Sequence, residues 1–278
     1  MKETFGQKTR RSHKRNQRVV MFWCAFVFAF VIAGVWLFRG TLFQNDSGAS
    51  SSGTNQSRHD ACGTADSRQK STDVTQAPMD HEVCQKLQDL VSQDQRVQQV
   101  IDNCEIYPED ILKMLSRNLD MLNFVLEYPE KVGQVFAETV GEVEGGEVPL
   151  LLQYDQRWGY GDYGNSSVAV SGCGPACLSM VITSLTGDDT ITPYVVAQYA
   201  SEQGYYVPGA GTAWTLMSEG AKHFGVIGEE LPLTKSIMEG VLKEGRPIIC
   251  SMRPGDFTTT GHFIVITGIK DGQFTVND

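Results

Sequence analysis

The sequence predicts an α+β fold for its C-terminal part, residues 148–278, preceded by a transmembrane helix and a small helical region. Three observations predict this arrangement. The strand-like segments follow the helix-like ones, unlike alternating βα units. Short apolar runs rich in Ile, Val and Phe end at turn residues, which is typical of strands. A Gly- and Glu-rich stretch at 141–147 separates this part from the preceding chain. Helices are expected at 174–186, 193–203, 212–224 and 234–244, and strands at 247–252, 262–269 and 273–278.

The N-terminus has the composition of a membrane anchor. Residues 1–18 contain seven Lys or Arg and one acid, and residues 19–38 form an uncharged apolar run long enough to span a bilayer as a helix. Because basic residues favour the cytoplasmic side, we expect a single-pass signal anchor in the cell membrane, with a cytoplasmic N-terminus and an extracytoplasmic C-terminal domain. The alternative is a cleaved secretory signal with Val31-Ile32-Ala33 near the cleavage site.

Two further segments are expected between the anchor and the C-terminal domain. Residues 39–81 are rich in Ser, Thr and Gly, which predicts a flexible tether. Residues 82–140 place apolar side chains every three or four positions, as amphipathic helices do. Two Tyr-Pro-Glu repeats, at 107–109 and 128–130, are each expected to start a helix. We interpret residues 82–140 as a packing module, with a propeptide-like regulator as the alternative, and predict no catalytic residue there.

Charge and cysteine content bear on the class of partner. Residues 40–278 contain 15 Lys or Arg against 32 Asp or Glu, so the exported part is not expected to bind nucleic acid. The seven cysteines lack the paired spacing of a zinc site, and we expect no metal and no cofactor. Cys84 and Cys104 could form a disulfide outside the cell or stay reduced. The sequence leaves the oligomeric state open.

The most informative motif is Ser171-Gly172-Cys173-Gly174-Pro175, at the predicted start of a helix. A helix N-terminus offers free N–H groups and a positive dipole end, which stabilise the thiolate form in which cysteine reacts. His262 opens an apolar strand 89 residues later and is a candidate base. A lone cysteine is more often a small buried residue, but the two flanking glycines allow close approach of backbone or substrate.

The motifs in this order resemble the double-glycine (bacteriocin-processing) peptidase-like cysteine peptidases of the papain-like superfamily. The resemblance covers about residues 148–278 and implies a papain-like fold, in which a helix bearing Cys packs on an antiparallel sheet bearing His and an acid. It implies Cys173 as the nucleophile, His262 as the general base and Asp278 as the residue that orients the imidazole. Besides the Cys motif and Gly261-His262-Phe263, it rests on 148–158, Tyr163-Gly164, Gly211-Thr212-Ala213-Trp214 and Val276-Asn277-Asp278.

Histidine suits the base because it accepts and donates protons near neutral pH. The other histidine of this domain, His223, is expected at the end of a helix, where a basic side chain favours the negative dipole end, and we interpret it as structural. Aromatic residues could line the cleft, but the core is their more common location. These are Trp158, Trp214, Tyr205 and Tyr206.

The orienting residue depends on the turn between the last two strands. A three-residue loop, Lys270-Asp271-Gly272, would pair Ile269 with Gln273 and place Asp278 on the face of His262. A two-residue Asp-Gly turn would pair Lys270 with Gln273 and place Asn277 there instead. We predict the three-residue loop and Asp278.

We expect a membrane-anchored extracytoplasmic cysteine peptidase that hydrolyses peptide or amide bonds through a thioester acyl-enzyme, with a peptide or cell-wall peptide as substrate. The backbone N–H of Cys173 is a candidate oxyanion donor, and the Gln153 amide is a second, although Gln153 could instead bridge two loops. One alternative is a catalytically inactive papain-like binding module at the cell surface, which the end of the sequence at Asp278 would favour because the family pattern continues further. The other is a cell-wall peptide amidase or acyl transferase.

Overall fold

A computed structural model describes residues 18–22, 80–255 and 261–278. Most of the predicted basic tail, residues 23–38 of the predicted membrane span and residues 39–79 of the predicted tether lie outside these ranges. Within the described ranges, no helix is both long enough and apolar enough to cross a bilayer. The anchor and the tether therefore remain predictions.

The helical region consists of short amphipathic helices, as predicted. The first helix begins after Asp80, whose carboxylate accepts a hydrogen bond from the Glu82 N–H at 2.8 Å and so caps the helix. Apolar side chains at the three- and four-residue spacing form a buried core, for example Val83 with Leu87, and Ile111 with Leu115. The helices are α1 (His81–Val91), α2 (Val97–Asp102), α3 (Glu109–Leu115) and α4 (Leu122–Lys131), with 3₁₀ turns at Cys104–Ile106 and Leu119–Met121.

Only one of the two Tyr-Pro-Glu repeats starts a helix. Pro108 directly precedes α3, as predicted. Pro129 lies inside the last turn of α4, so the prediction for the second repeat is wrong. Proline there removes one helix hydrogen bond, but the buried ring of Tyr128 packs against the rings of Phe124 and Tyr160 and holds this turn in place. Tertiary packing has overridden the local preference.

The C-terminal domain is built around α6 (Cys173–Thr186), which begins at Cys173. Residues 174–184 of this helix are all buried, as expected for a helix that is apolar on all sides and lies at the centre of a core. Gly187 ends the helix with a φ of 75°, the left-handed conformation common after a helix C-terminus. The next helix, α7 (Pro193–Glu202), begins with a cap in which the Thr192 hydroxyl accepts from the Val195 N–H.

A five-stranded sheet packs against α6 through strand β8 and is flanked by two small ladders. The sheet order is β6-β1-β7-β8-β9, and the pairs β7-β8 and β8-β9 are antiparallel. The strands are β1 (Arg18–Phe22), β2 (Asp162–Tyr163), β3 (Ser166–Ser167), β4 (Tyr206–Val207), β5 (Gly211–Thr212), β6 (Ile227–Leu231), β7 (Ile248–Met252), β8 (His262–Lys270) and β9 (Gln273–Asn277), and the remaining helices are α5 (Val168–Ser171), α8 (Thr215–Ser218) and α9 (Lys235–Lys243).

Most predicted elements of this domain are confirmed, but one predicted helix differs, and strand β6 and several shorter elements were not predicted. The helix expected at 212–224 is divided into α8 and a 3₁₀ turn, Gly220–Phe224, and its first residue belongs to strand β5 instead. Strand β6 was not predicted, because its sequence Ile-Gly-Glu-Glu-Leu lacks the alternation of apolar and polar residues that identifies a half-buried strand. The longer helices α6, α7 and α9 still precede the antiparallel strands β7 to β9, so the domain is α+β.

Strand β1 differs from the prediction for the N-terminus. It lies between β6 and β7 and pairs with both in parallel, so the sheet is mixed and antiparallel only from β7 to β9. For residues 19–22 the structure gives a strand where the sequence predicted the first turn of a membrane helix. A short apolar run such as Val-Val-Met-Phe is compatible with either, since periodicity does not distinguish a buried strand from a buried helix.

The helical region shares a core with the C-terminal domain. The rings of Phe124 and Tyr160 stack with centroids 4.3 Å apart, and the Tyr160 hydroxyl donates to the Phe124 carbonyl at 3.2 Å. The Gln156 amide donates to the Glu127 carboxylate at 2.8 Å. These contacts fix α4 on the surface of the domain.

Candidate active site

Cys173 occupies the first position of α6, as predicted. Its side chain is partly exposed, whereas Cys177, one turn further along the helix, is fully buried. Burial raises the pKa of the Cys177 thiol well above its ordinary value, so that thiol stays protonated. Cys250 is also buried, and Cys84 and Cys104, which could have formed a disulfide, are not bonded to each other. In the domain, Cys173 is therefore the accessible thiol.

The glycines beside Cys173 have no room for a side chain. A Cβ atom on Gly172 would lie 2.4 Å from the Val168 carbonyl oxygen, and one on Gly174 would lie 2.7 Å from the Thr212 Cβ. Thr212 is held in place because its hydroxyl forms a 2.8 Å hydrogen bond with the Tyr163 hydroxyl. The two glycines thus allow the start of α6 to pack closely against its own protein.

His262 is the first residue of β8, and its Nε2 atom forms a hydrogen bond with the Asp278 carboxylate. The exposed fraction of the side chain is 20% for His262 and 40% for Asp278, so the pair lies at the edge of the core and reaches solvent. Since Nε2 is used by Asp278, Nδ1 is the ring nitrogen left for another partner, and Cys173 interacts with this imidazole. The three predicted residues are thus brought together.

The pairing of His262 with Asp278 arises differently from the prediction. Lys270 pairs with Gln273 through a two-residue turn, in which Asp271 and Gly272 both have positive φ, so the predicted three-residue loop is wrong. That turn alone would place Asn277 on the face of His262. A β-bulge between Ile266 and Gly268 shifts the register by one residue and restores Asp278 to that face.

Asn277 has a separate role at the end of β9. Its amide donates to the Val148 carbonyl at 3.2 Å and to the Pro149 carbonyl at 3.0 Å. These bonds tie the last strand to the first residues of the domain. Asn277 therefore anchors β9, while Asp278 contacts the imidazole.

The pKa of His262 is raised to about 10. Burial by itself lowers this pKa, because desolvation disfavours the charged ring, but the hydrogen bond to Asp278 and the interaction with Cys173 outweigh burial. The imidazole is therefore protonated at neutral pH. This imidazolium lies beside the Cys173 side chain and carries a proton that it could donate to a leaving group.

Gln153 lies in the same cleft, and its amide Nε2 donates to the Ala169 carbonyl. This bond connects Gln153 with helix α5, so Gln153 has a bridging contact, although not between two loops. A side-chain amide has two N–H donors, so one remains for an oxyanion. The oxyanion role of Gln153 stays a prediction.

The cleft around these residues has a volume of about 490 Å³ and two walls. The domain wall includes Leu151, Leu152 and Met180 together with the reactive residues. The opposite wall, which we call the helical-region wall, comes from outside the predicted peptidase domain and was missed by sequence reasoning. It consists of Met114, Arg117, Asn118 and Met121.

The other candidate residues lie elsewhere. Trp158 is buried and donates from its indole N–H to the Leu152 carbonyl at 2.9 Å, as a core residue does. Trp214, Tyr205 and Tyr206 pack against the domain core and are not among the described residues that line the cleft. His223 stacks on the ring of Tyr199 with centroids 4.2 Å apart, in agreement with its structural interpretation. Among the described residues, no group of three or more His, Cys, Asp or Glu side chains could hold a metal ion.

A helix that begins at a cysteine packs on antiparallel strands that hold a paired histidine and aspartate, which is the arrangement implied by the resemblance described above. Residues 146–278 match the model of the Peptidase_C39 like family. The match confirms the resemblance inferred from the motifs. Searches of curated proteins and of solved structures found no match to the chain.

Proposed function

We propose that the protein is a membrane-anchored, extracytoplasmic cysteine peptidase that hydrolyses peptide or amide bonds through Cys173, His262 and Asp278. The observation that supports this function most directly is the convergence of the three side chains in one cleft. The imidazole lies between a carboxylate and a thiol that is partly exposed at a helix N-terminus. The family match supports a peptidase-like domain, and the residue roles are our proposal.

The proposed reaction begins when the Cys173 thiolate attacks the substrate carbonyl carbon. The resulting oxyanion accepts hydrogen bonds from the Cys173 backbone N–H and from the remaining donor of Gln153. His262 donates its proton to the leaving amine, and a thioester forms as the C–N bond breaks. Water then attacks the thioester while His262 accepts its proton. The C–S bond then breaks, the carboxylic acid is released, and the Cys173 thiolate and the protonated imidazole are regenerated.

Hydrolysis in heavy-oxygen water tests this reaction. The full-length protein is incubated with a mixture of peptides, and the products are analysed by mass spectrometry. We expect new C-termini that contain one heavy oxygen, and none with the Cys173→Ala variant. Products in which the new carbonyl group is joined to the amine of another peptide, without heavy oxygen, would contradict hydrolysis and identify an acyl transferase instead.

The membrane anchor is a separate part of the proposal, supported by the basic tail and the apolar run at 19–38. Protease added outside intact cells should cut the tether and release the C-terminal part. The small N-terminal fragment should then fractionate with the membrane. If that fragment instead stays bound to the C-terminal part through β1, the anchor proposal is wrong.

A further inference from the structure

We propose that Arg117 forms a carboxylate-binding subsite in the cleft, so that the preferred substrate is a peptide with an acidic group close to an apolar side chain. The expected effect on peptide cleavage rests on the proposed function, whereas the expected effect on peptide binding does not. It assigns substrate recognition to the helical region, which lies outside the family match.

The helical-region wall lines the same cleft as the reactive residues. Met114 lies in α3, Arg117 and Asn118 follow α3 directly, and Met121 ends the next 3₁₀ turn. All four line the cleft that also holds Cys173, His262 and Asp278. A peptide bound for attack by Cys173 therefore lies between this wall and the domain wall.

The wall is rigid where Arg117 is attached. The side-chain amide of Asn118 donates to the Tyr154 hydroxyl of the domain at 3.1 Å, and its oxygen accepts from the Asp120 N–H at 3.0 Å. The backbone N–H of Arg117 donates to the Met114 carbonyl at 3.1 Å. Binding therefore does not require ordering of the backbone, which lowers its entropic cost.

The charge of the wall selects the ligand. Arg117 is the one Lys or Arg among the described residues that line the cleft, in a protein with a formal net charge of −10. Its side chain is exposed, and a guanidinium binds a carboxylate through two parallel N–H···O hydrogen bonds. The carboxylate could belong to an Asp or Glu side chain or to a peptide C-terminus.

The apolar residues that line the cleft determine which substrate side chain fits beside the carboxylate. Met114 and Met121 face the cleft from the helical region, and Leu151 and Met180 from the domain. Methionine side chains adapt to varied apolar shapes. We therefore expect an apolar substrate side chain next to the acidic group, without a preference for one particular residue.

Binding and cleavage of matched peptides test the subsite. Full-length Cys173→Ala protein, which cannot turn over substrate, is titrated with labelled peptides that contain Leu next to Glu, Gln or Lys, each with an amidated C-terminus. A further peptide has Gln and a free C-terminus, which separates a terminal carboxylate from a side chain. The same peptides are given to the protein with Cys173 intact, and kcat/KM is measured.

We expect the Glu peptide or the free C-terminus to bind about 10- to 100-fold more tightly than the neutral peptide, a preference that Arg117→Gln removes. Arg117→Glu should favour the Lys peptide. Arg96→Gln is the matched control, because Arg96 lies in the same helical region and does not line the cleft. The Arg96→Gln variant should keep the same binding preference for acidic peptides.

The outcomes separate this inference from the proposed function. Equal binding of acidic and neutral peptides, or no effect of Arg117→Gln on their ratio, overturns the subsite even if hydrolysis is observed. Acidic preference in binding that depends on Arg117, without cleavage by the protein with Cys173 intact, supports the subsite and overturns the peptidase.

Discussion

The two walls of the cleft differ in how their residues reach it. On the domain wall, Cys173 starts a helix between two glycines, and His262 and Asp278 lie on paired strands, so local backbone rules place each reactive group. The helical-region wall is held at the cleft by contacts between distant segments: the ring of Tyr160 stacks on Phe124 of α4, and Asn118 donates to the Tyr154 hydroxyl. The reactive residues could therefore be predicted from local sequence patterns. The helical-region wall could not, because its position depends on packing between distant segments.

Removal of the imidazole tests the domain wall most severely. His262→Ala should lower kcat/KM by about 10⁴-fold or more, because both the base and the proton donor are lost. Peptide hydrolysis by the full-length protein is the measurement. His223→Ala is the control, since His223 stacks on Tyr199 and should leave kcat/KM unchanged. Similar losses in both variants would mean that the His262 effect is structural.

Asp278→Asn should reduce activity less and should change its pH dependence. The Asp278 hydrogen bond helps to raise the His262 pKa to about 10, so activity should persist at alkaline pH and decline as pH rises through that value. Without the carboxylate the decline should begin at lower pH. The pH profile of kcat/KM measures this shift. If the alkaline limb of the profile, where activity declines as pH rises, is unchanged in Asp278→Asn, then Asp278 does not act on His262.

The same pKa has a consequence for stability. The folded pKa of His262 lies above the ordinary value of about 6.5, so the folded state binds the proton more tightly than the unfolded state. The stabilisation is fully present below about pH 6.5 and is lost as pH rises through about 10. In Asp278→Asn, unfolding by urea should show a weaker dependence on pH in this window.

The last hairpin shows how far sequence reasoning could go. The Asp-Gly pair predicted a turn, and the strands and the facing residue were correct, but the turn has two residues and a bulge near Thr267 restores the register. A bulge depends on the packing of both strand faces and is not apparent from the alternation of residues. Similarly, no local pattern connects Arg117 with Cys173, because their proximity depends on side-chain contacts between the helical region and the domain.

Gly174→Ala tests the close packing at the helix start. The new Cβ would overlap Thr212, so we expect a loss of about 1–3 kcal/mol in the free energy of unfolding, measured with urea. Gly240→Ala, within α9, is the matched control, because no atom lies within 4 Å of the added Cβ. That variant should gain about 0.5–1 kcal/mol from its higher helix propensity. Equal effects at the two sites would mean that Thr212 does not restrict position 174.

Asn277→Ala should have the smallest effect. Loss of its hydrogen bonds to the Val148 and Pro149 carbonyls should cost about 1–2 kcal/mol of stability, and the alkaline limb of the activity profile should stay in place. A shift of that limb as large as the one in Asp278→Asn would instead assign the orienting role to Asn277.

The rate at which iodoacetamide alkylates Cys173 tests the central claim, that a charged imidazole activates this thiol. At about pH 6, where an ordinary thiol is almost fully protonated, Cys173 of the full-length protein should react rapidly. His262→Ala should abolish this rapid reaction, and peptide mapping should locate the label. Slow and equal labelling of Cys173, Cys177 and Cys250, unaffected by His262→Ala, would contradict the account.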